Sequence, residues 1–248
     1  MRELMWNLYD TLLENLPDSP PVEDLQMTDF WALARLADGQ SGMAMTTRGS
    51  TIPPALAGFA GIPAKKAAEA VKSWNLPEAS GAMAVINACC NTRQRMENLG
   101  CAEPYEGYCT GGLDFTGKTV GLVGHLRMPQ GTLKDAREVF ILERHPQPGD
   151  YPDSACEYLL PKCDIAIITG SSLVNKTLPR LLELCRKAFT IVTGPTVPMC
   201  PELLNCGIDR LAGMVIRDLP GLTEHIRSGV NGPPYPYGDT FLLRGDGL

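Results

Sequence analysis

His125 ends a short apolar run, Thr119 to Gly124, at the place in a strand–loop unit where an imidazole can serve as acid, base or metal ligand. Arg127, two positions on, suits an anion clamp. The plain alternative is a hydrogen-bonded turn histidine. A second apolar run, Val139 to Leu142, ends in Glu143, 22 positions beyond Gly121. That spacing is close to the ~20 residues separating the glycine turn from the ribose-binding acid in a dinucleotide βαβ unit. The glycine fingerprint is incomplete, because His125, Leu126 and Arg127 follow Gly124 where further glycines belong. The stretch therefore predicts a Rossmann-like layer with a small-molecule crevice at its strand ends, without naming the molecule.

Two further loops follow predicted strands. Thr169-Gly170-Ser171-Ser172, with Asn175 and Thr177 beyond it, gathers hydroxyls and an amide near a helix start. Unpaired N–H groups there favour a phosphate or carboxylate, whereas simple N-capping would need only one such residue. Gly194-Pro195-Thr196-Val197-Pro198 is stiffened by its prolines and leads to Cys200, just before a predicted helix at Pro201. A thiolate is favoured at a helix start, so Cys200 joins His125 as a candidate metal ligand; the alternative is an inert buried thiol. In the first half, Trp74, Asn75 and Glu78 offer an apolar face, an amide and a carboxylate at another helix start, with Asn87 further along. A helix cap beside a core tryptophan would use the same residues. His145 and His225 read as surface residues.

The elements that must carry these groups fall into two sets. Residues 3 to 15 have the apolar spacing of an amphipathic helix. Three β-like runs follow, near 22–28, 30–37 and 41–47, with the hairpin signal Asp38-Gly39 between the last two. Helices are predicted over 65–73 and 78–99, the second with one stripe of Ala79, Met83, Ile86, Cys90 and Met96. Glycines and prolines between 100 and 118 mark a boundary. Beyond it, strands near 119–123, 138–142, 164–169, 188–193 and 211–216 alternate with helical stretches near 130–136, 153–160, 177–187, 200–205 and 220–228. That alternation predicts a mainly parallel sheet covered on both faces. The expected fold class is α/β, with a small α+β unit over 1–105 followed by a Rossmann-like three-layer α/β/α unit over 106–248. The tail from Pro233 to Leu248 reads as an irregular cover over a neighbour or as a frayed end.

The formal net charge of −6, with no lysine/arginine block, argues against nucleic acid and anionic membranes as partners. No apolar run approaches the ~20 residues that span a bilayer. The opening helix, with Glu3 and Asp10, is unlike a signal peptide, and a cytoplasmic protein is expected. Nine cysteines, an odd number without a C-x-x-C pair, suit a reducing compartment better than a disulfide scaffold. Self-association is left open.

Taken in order, SWNLPEAS, GKTVGLVGH, ITGSSLVNKTL and GPTVPMCPELL followed by GIDRLAG resemble a bacterial and archaeal family of unknown function described as putative heavy-metal chelation proteins. The resemblance runs from about residue 5 to 230. It implies an enolase N-terminal-like domain joined to a Rossmann-like domain, with a ligand site in the cleft between them. On this chain the site would draw on Trp74, Asn75 and Glu78 from the first unit. From the second it would take Gly124, His125, Glu143, Thr169, Gly170, Ser171, Asn175, Gly194, Pro195 and Thr196. The implied ligand is a transition metal or metallo-cofactor, with a link to anaerobic cobalamin synthesis. The residues alone favour the cleft over chelation: the cysteines lack metal-site spacing, and there are three histidines. The competing reading is an enzyme acting on a nucleotide-like or phosphorylated molecule. A non-catalytic binding module is the third. No nucleophile elbow, P-loop or His-x-x-x-His pair is present.

Overall fold

The computed structural model describes residues 2–101, 103–105, 109–126 and 128–245. Helix α1 (Arg2–Glu14) buries Leu8, Tyr9 and Leu12. Strands β1 (Val22–Met27), β2 (Trp31–Leu36) and β3 (Ser41–Met45) form an antiparallel sheet in that order. The β2–β3 hairpin turns at Asp38-Gly39, where Gly39 takes φ +86°, a conformation open to glycine without a side-chain clash. Alternation along β2 serves two cores. Ala32, Ala34 and Leu36 lie in the main core with helix α3 (Leu76–Cys90), while Trp31 and Leu33 pack with Met214, Leu222 and Ile226 from the second half.

Helix α2 (Ala64–Ala68) runs into a 3-10 turn over 69–72 and then into α3. The single helix expected over 78–99 is two. Helix α3 stops at Cys90, and α4 (Arg93–Asn98) restarts after Thr92, whose hydroxyl accepts from the Arg95 N–H at 3.2 Å. The single apolar stripe is also too narrow, because thirteen of the fifteen α3 residues are buried. Small side chains let neighbours close in from every side. At Gly42 on β3 the approach is tightest, since a Cβ there would lie 2.0 Å from the Ala88 nitrogen.

The second sheet has seven strands: β4 (Thr119–Val123), β5 (Glu138–Glu143), β6 (Tyr151–Pro152), β7 (Ile165–Thr169), β8 (Phe189–Thr193), β9 (Arg210–Ile216) and β10 (Gly238–Arg244). Their order is β10-β9-β8-β7-β4-β5-β6, all parallel except β10. From β4 the chain moves outward to β5 and β6, then returns to β7 and continues the other way. The strand order thus reverses between β4 and β7, the position where open α/β sheets form a crevice. Helices α5 (Cys156–Leu159), α6 (Ser171–Val174), α7 (Leu178–Leu184) and α8 (Leu219–Arg227) complete the unit. None of the described helices is long and apolar enough to cross a membrane.

The fold is mixed α/β as expected, with these local corrections. No helix forms over 130–136. Pro129 and Gly131, at φ +82°, leave successive turns closed by bonds such as Thr132 N–H to Pro129 O at 3.2 Å. These turns, with Phe115, cover Val120, Leu122, Ile165 and Ile167 on one sheet face. The tail is not an irregular cover: 238–244 pairs along β9 as an antiparallel edge strand. The residues on one side of the expected 105/106 boundary, 106–108, lie outside the described residues. One apolar core runs through both halves, joining Leu12, Met83 and Ile86 with Ile168, Val192 and Leu211.

Two asparagines pin the halves together. Asn87 Nδ2 donates to Met43 O at 2.7 Å and Pro195 O at 3.2 Å. Asn91 Nδ2 donates to Val197 O at 2.9 Å and Met214 O at 3.2 Å, and its Oδ1 accepts from Met199 N–H at 2.8 Å. Asn91→Leu leaves buried backbone groups unpaired and is expected to cost about 3–5 kcal/mol in urea-unfolding free energy. Gly42→Ala pushes a methyl into the α3 backbone and should cost about 2–3 kcal/mol. A change under about 0.5 kcal/mol at either position would contradict this account.

Candidate functional site

The ends of β4, β5 and β7 face the residues that leave β3 across a cleft of about 660 Å³. One wall is Asp29, Phe30, Met45, Thr46, Thr47 and Arg48; the other includes Gly124, His125, Glu143, Thr169, Ser171 and Asn175. Strand ends at the reversal supply the second wall because parallel strands deliver their loops to one side. The first wall is held by side chains: Thr196 Oγ1 accepts from Met45 N–H at 2.9 Å, and Ser80 Oγ accepts from Thr47 N–H at 2.9 Å. Ser171 Oγ lies 3.4 Å from Met45 Sδ, spanning the gap.

Gly124 takes φ +97° and ends β4 against Thr169. Gly121 sits inside β4, where a Cβ would meet Leu160 at 2.8 Å, so this glycine serves packing and forms no phosphate turn. No helix follows Gly124 among the described residues, so the dinucleotide fingerprint is not built. Glu143 is occupied too. Its Oε2 accepts from His125 N–H at 2.8 Å, and its Oε1 from Arg144 N–H at 2.7 Å and His145 N–H at 3.2 Å. A carboxylate fastening two turns in this way is a poor holder of a ribose diol.

The polar loop after β7 is partly self-satisfied. Ser172 Oγ donates to Thr169 O at 2.7 Å, and Asn175 Oδ1 accepts from Thr177 Oγ1 at 2.6 Å. Ser171 and Asn175 still face the cleft. Gly170 packs under Val197, and Thr196 is buried at the joint with β3, so with Gly194 and Pro195 these residues buttress the cleft. Trp74, Asn75 and Glu78 are not among the lining residues. Trp74 is exposed and packs edge-on to Trp6 at 6.0 Å; Asn75 caps α3 through Glu78 N–H at 2.9 Å; buried Glu78 accepts from Leu56 N–H at 2.7 Å. Asn75 and Glu78 face the loop 50–56, with Asn75 Nδ2 donating to Ile52 O at 2.6 Å, and Trp74 meets that loop only through its carbonyl, which accepts from Ser50 Oγ. Arg127 lies outside the described residues.

Several lining residues escaped the sequence reading. His145, expected on the surface, lines the cleft with Asp29, Arg48, Arg144, Asp153, Glu157 and Arg180. Most of these charges are matched: Arg48 with Asp29 at 2.8 Å, and Arg144 with Asp153 at 3.3 Å. Asp150 supports His125 from behind, with Oδ2 3.0 Å from Nδ1. Nothing in the sequence around Asp150 marks it, because the contact is made only when the loop folds back. His225 lies elsewhere, stacked on Tyr237.

A bare heavy-metal ion does not fit this donor set. Among the described residues, no three His, Cys, Asp or Glu side chains converge as ligands. All nine cysteines are free. Burial pushes the thiols of Cys156 and Cys163 up to about 11, and those of Cys109, Cys185 and Cys200 up to about 12. Cys200 corrects the expectation of a thiolate at a helix start. Residues 201–206 form a 3-10 segment, and the fully buried thiol donates to Glu202 at 3.0 Å.

Buried thiols make stability pH-dependent. Each favours the native chain fully below its ordinary pKa of 9.0, and that contribution is lost as pH rises toward 11–12. Buried Lys176, drawn down to about 8, acts in the opposite sense, one amine against five thiols. In reducing buffer, urea-unfolding free energy should fall from pH 9 upward, by up to about 1.4 kcal/mol per pH unit for each thiol. A flat profile there would show the thiols to be exposed or already ionised.

Residues 113–236 match a family model described as "Putative heavy-metal chelation", and residues 9–90 match a second model with the same description. An uncharacterized protein of Methanocaldococcus jannaschii is 31% identical over 109 residues, 41% of this chain and 42% of that protein. The match therefore spans less than half of that relative. A crystal structure from Desulfitobacterium hafniense DCB-2, a family protein of unknown function, superposes with a TM-score of 0.87 at 32% identity over 98% of both chains. A second, from Pyrococcus horikoshii and also of unknown function, has a TM-score of 0.76 at 22% identity over 97% of this chain and 99% of its own. At that identity the likeness concerns the fold alone.

Proposed function

Because the chain belongs to the family described as "Putative heavy-metal chelation", we propose that it handles metal in complexed form, binding a metal-bearing small molecule in the cleft between its two sheets. The observation that carries this reading is the contrast between a roomy cleft of about 660 Å³ and the absence, among the described residues, of a three-donor group that would enclose a bare ion. A volume of that order suits an organic ligand. The lining supplies matched charges, hydroxyls, the Asn175 amide, and an apolar surface that includes Phe30, Met45, Leu126 and Leu142. Such a surface suits an organic shell with both apolar and polar groups around a metal. The link to cobalamin synthesis stands on the family resemblance and is a proposal of the same kind.

A second reading, an enzyme acting on a nucleotide-like or phosphorylated molecule, draws support from Thr169, Ser171 and Asn175 beside the strand-order reversal. It lacks a diol holder, because both Glu143 oxygens already accept backbone N–H groups.

The discriminating measurement is a thermal-shift and calorimetric panel. It compares bare cobalt, nickel, zinc and iron(II) ions with the same metals held by tridentate and tetradentate organic chelators, and with nucleotides. Complexes should stabilise the protein saturably at one per chain, bare ions and nucleotides should not, and Ser171→Phe, which fills the cleft, should abolish the effect. Equal stabilisation by bare ions, or none by any complex, would overturn the proposal.

A further inference from the structure

Among the described residues, His125 is the one cleft histidine with its imidazole tied to a carboxylate. Asp150 Oδ2 lies 3.0 Å from Nδ1 and accepts Gln147 N–H at 2.9 Å. The Asp150 side chain is only 4% exposed, whereas that of His125 is 42% exposed and lines the cleft. His125 is anchored a second time through its own N–H, which donates to Glu143. The end of β5 and the loop that follows it therefore fix both the backbone and the ring of one residue.

The chemistry of that arrangement is specific. An ionised carboxylate only accepts, so Nδ1 must carry the proton, and in the neutral ring Nε2 holds a bare lone pair. Nε2 has no hydrogen-bond partner among the described residues. A carboxylate behind the distal nitrogen is the support that orients imidazoles bound to metals and raises their basicity. Among the described residues no group of three metal-binding side chains forms around it, so the protein alone does not complete a coordination sphere.

The geometry points to His125 Nε2 as a single protein ligand for a metal complex that brings its other ligands with it, with Asp150 as the residue that positions the ring. This rests on the cleft reading above and deepens it: the guest would be a chelate with one exchangeable coordination position for the His125 imidazole. His145 lines the same cleft but has no carboxylate bonded to its ring among the described residues, and His225 is stacked away from it. Metal preference is left to the chelate, because a lone imidazole accepts most divalent first-row ions.

The probe is copper(II) iminodiacetate, a tridentate chelate with an open equatorial position. It is titrated into the whole protein and read by electron spin-echo envelope modulation, which detects the remote nitrogen of a bound imidazole. One copper per chain with a single imidazole is expected. The signal should be lost in His125→Gln and retained in His145→Gln and His225→Gln. Asp150→Asn should weaken binding about tenfold or more and alter the remote-nitrogen coupling, since that nitrogen bonds Asp150. Without any probe, nitrogen NMR of the imidazole should report the Nδ1–H tautomer in the native chain and a mixture in Asp150→Asn. Copper held equally by all three histidines, or a remote-nitrogen signal indifferent to Asp150, would overturn the assignment. Saturable binding of complexes that survives His125→Gln would sink it while leaving the cleft reading intact; failure of every complex to bind would sink both.

Discussion

The open edge of a three-stranded sheet must find partners, and here side chains supply them. Asn87 takes the carbonyl of Met43, and Thr196 takes the N–H of Met45. These two bonds, made by a helix of the first half and a loop of the second, replace the fourth strand that an unprotected edge would recruit. They succeed because Gly42 lets α3 lie against β3 at backbone distance. A larger residue would lift the helix, pull Asn87 out of reach, and separate the end of β3 from the loops that face it. The cleft exists as a by-product of how that edge is satisfied.

The same contacts explain why two units with recognisable patterns do not behave as two cores. Asn91 bonds backbone at two places in the second half, at Val197 in the loop after β8 and at Met214 on β9. Trp31, Leu33 and Met43 bury their other face against Met214, Leu222 and Ile226. The small sheet is sandwiched, with α3 on one side and the second half on the other. Desolvation of this shared interior also keeps the buried thiols protonated and removes them from metal chemistry, which shifts any metal-handling role toward the cleft.

Much of this was readable from local pattern. Three β-like runs and the Asp38-Gly39 turn appear where they were expected, because alternation and a left-handed glycine are properties of a few neighbouring residues. The parallel strands were equally legible as short branched apolar runs ended by turn residues. Helix ends were not. Asn91 reads as one more polar position on a long helix until its three partners, all more than a hundred residues away, are known. Strand β10 was hidden by the prolines and glycines before it. In the site, Gly124, His125, Thr169, Ser171 and Asn175 were identified by their position after strands. Met45 through Arg48, His145 and Asp150 owe their place to tertiary folding. Trp74, Asn75 and Glu78 illustrate the converse: a chemically suggestive cluster whose amide caps a helix and bonds Ile52, and whose carboxylate is buried against Leu56 N–H away from the cleft.

Walls stitched by buried hydrogen bonds cannot part like jaws. Thr196 joins one wall to the support of the other, and Asn87 grips both. Any guest would therefore enter through a standing mouth and settle on a surface already in its final shape, forfeiting little chain freedom on arrival. Selectivity in such a receptacle comes from rim width and from which atoms the visitor leaves bare, with no contribution from a closing motion.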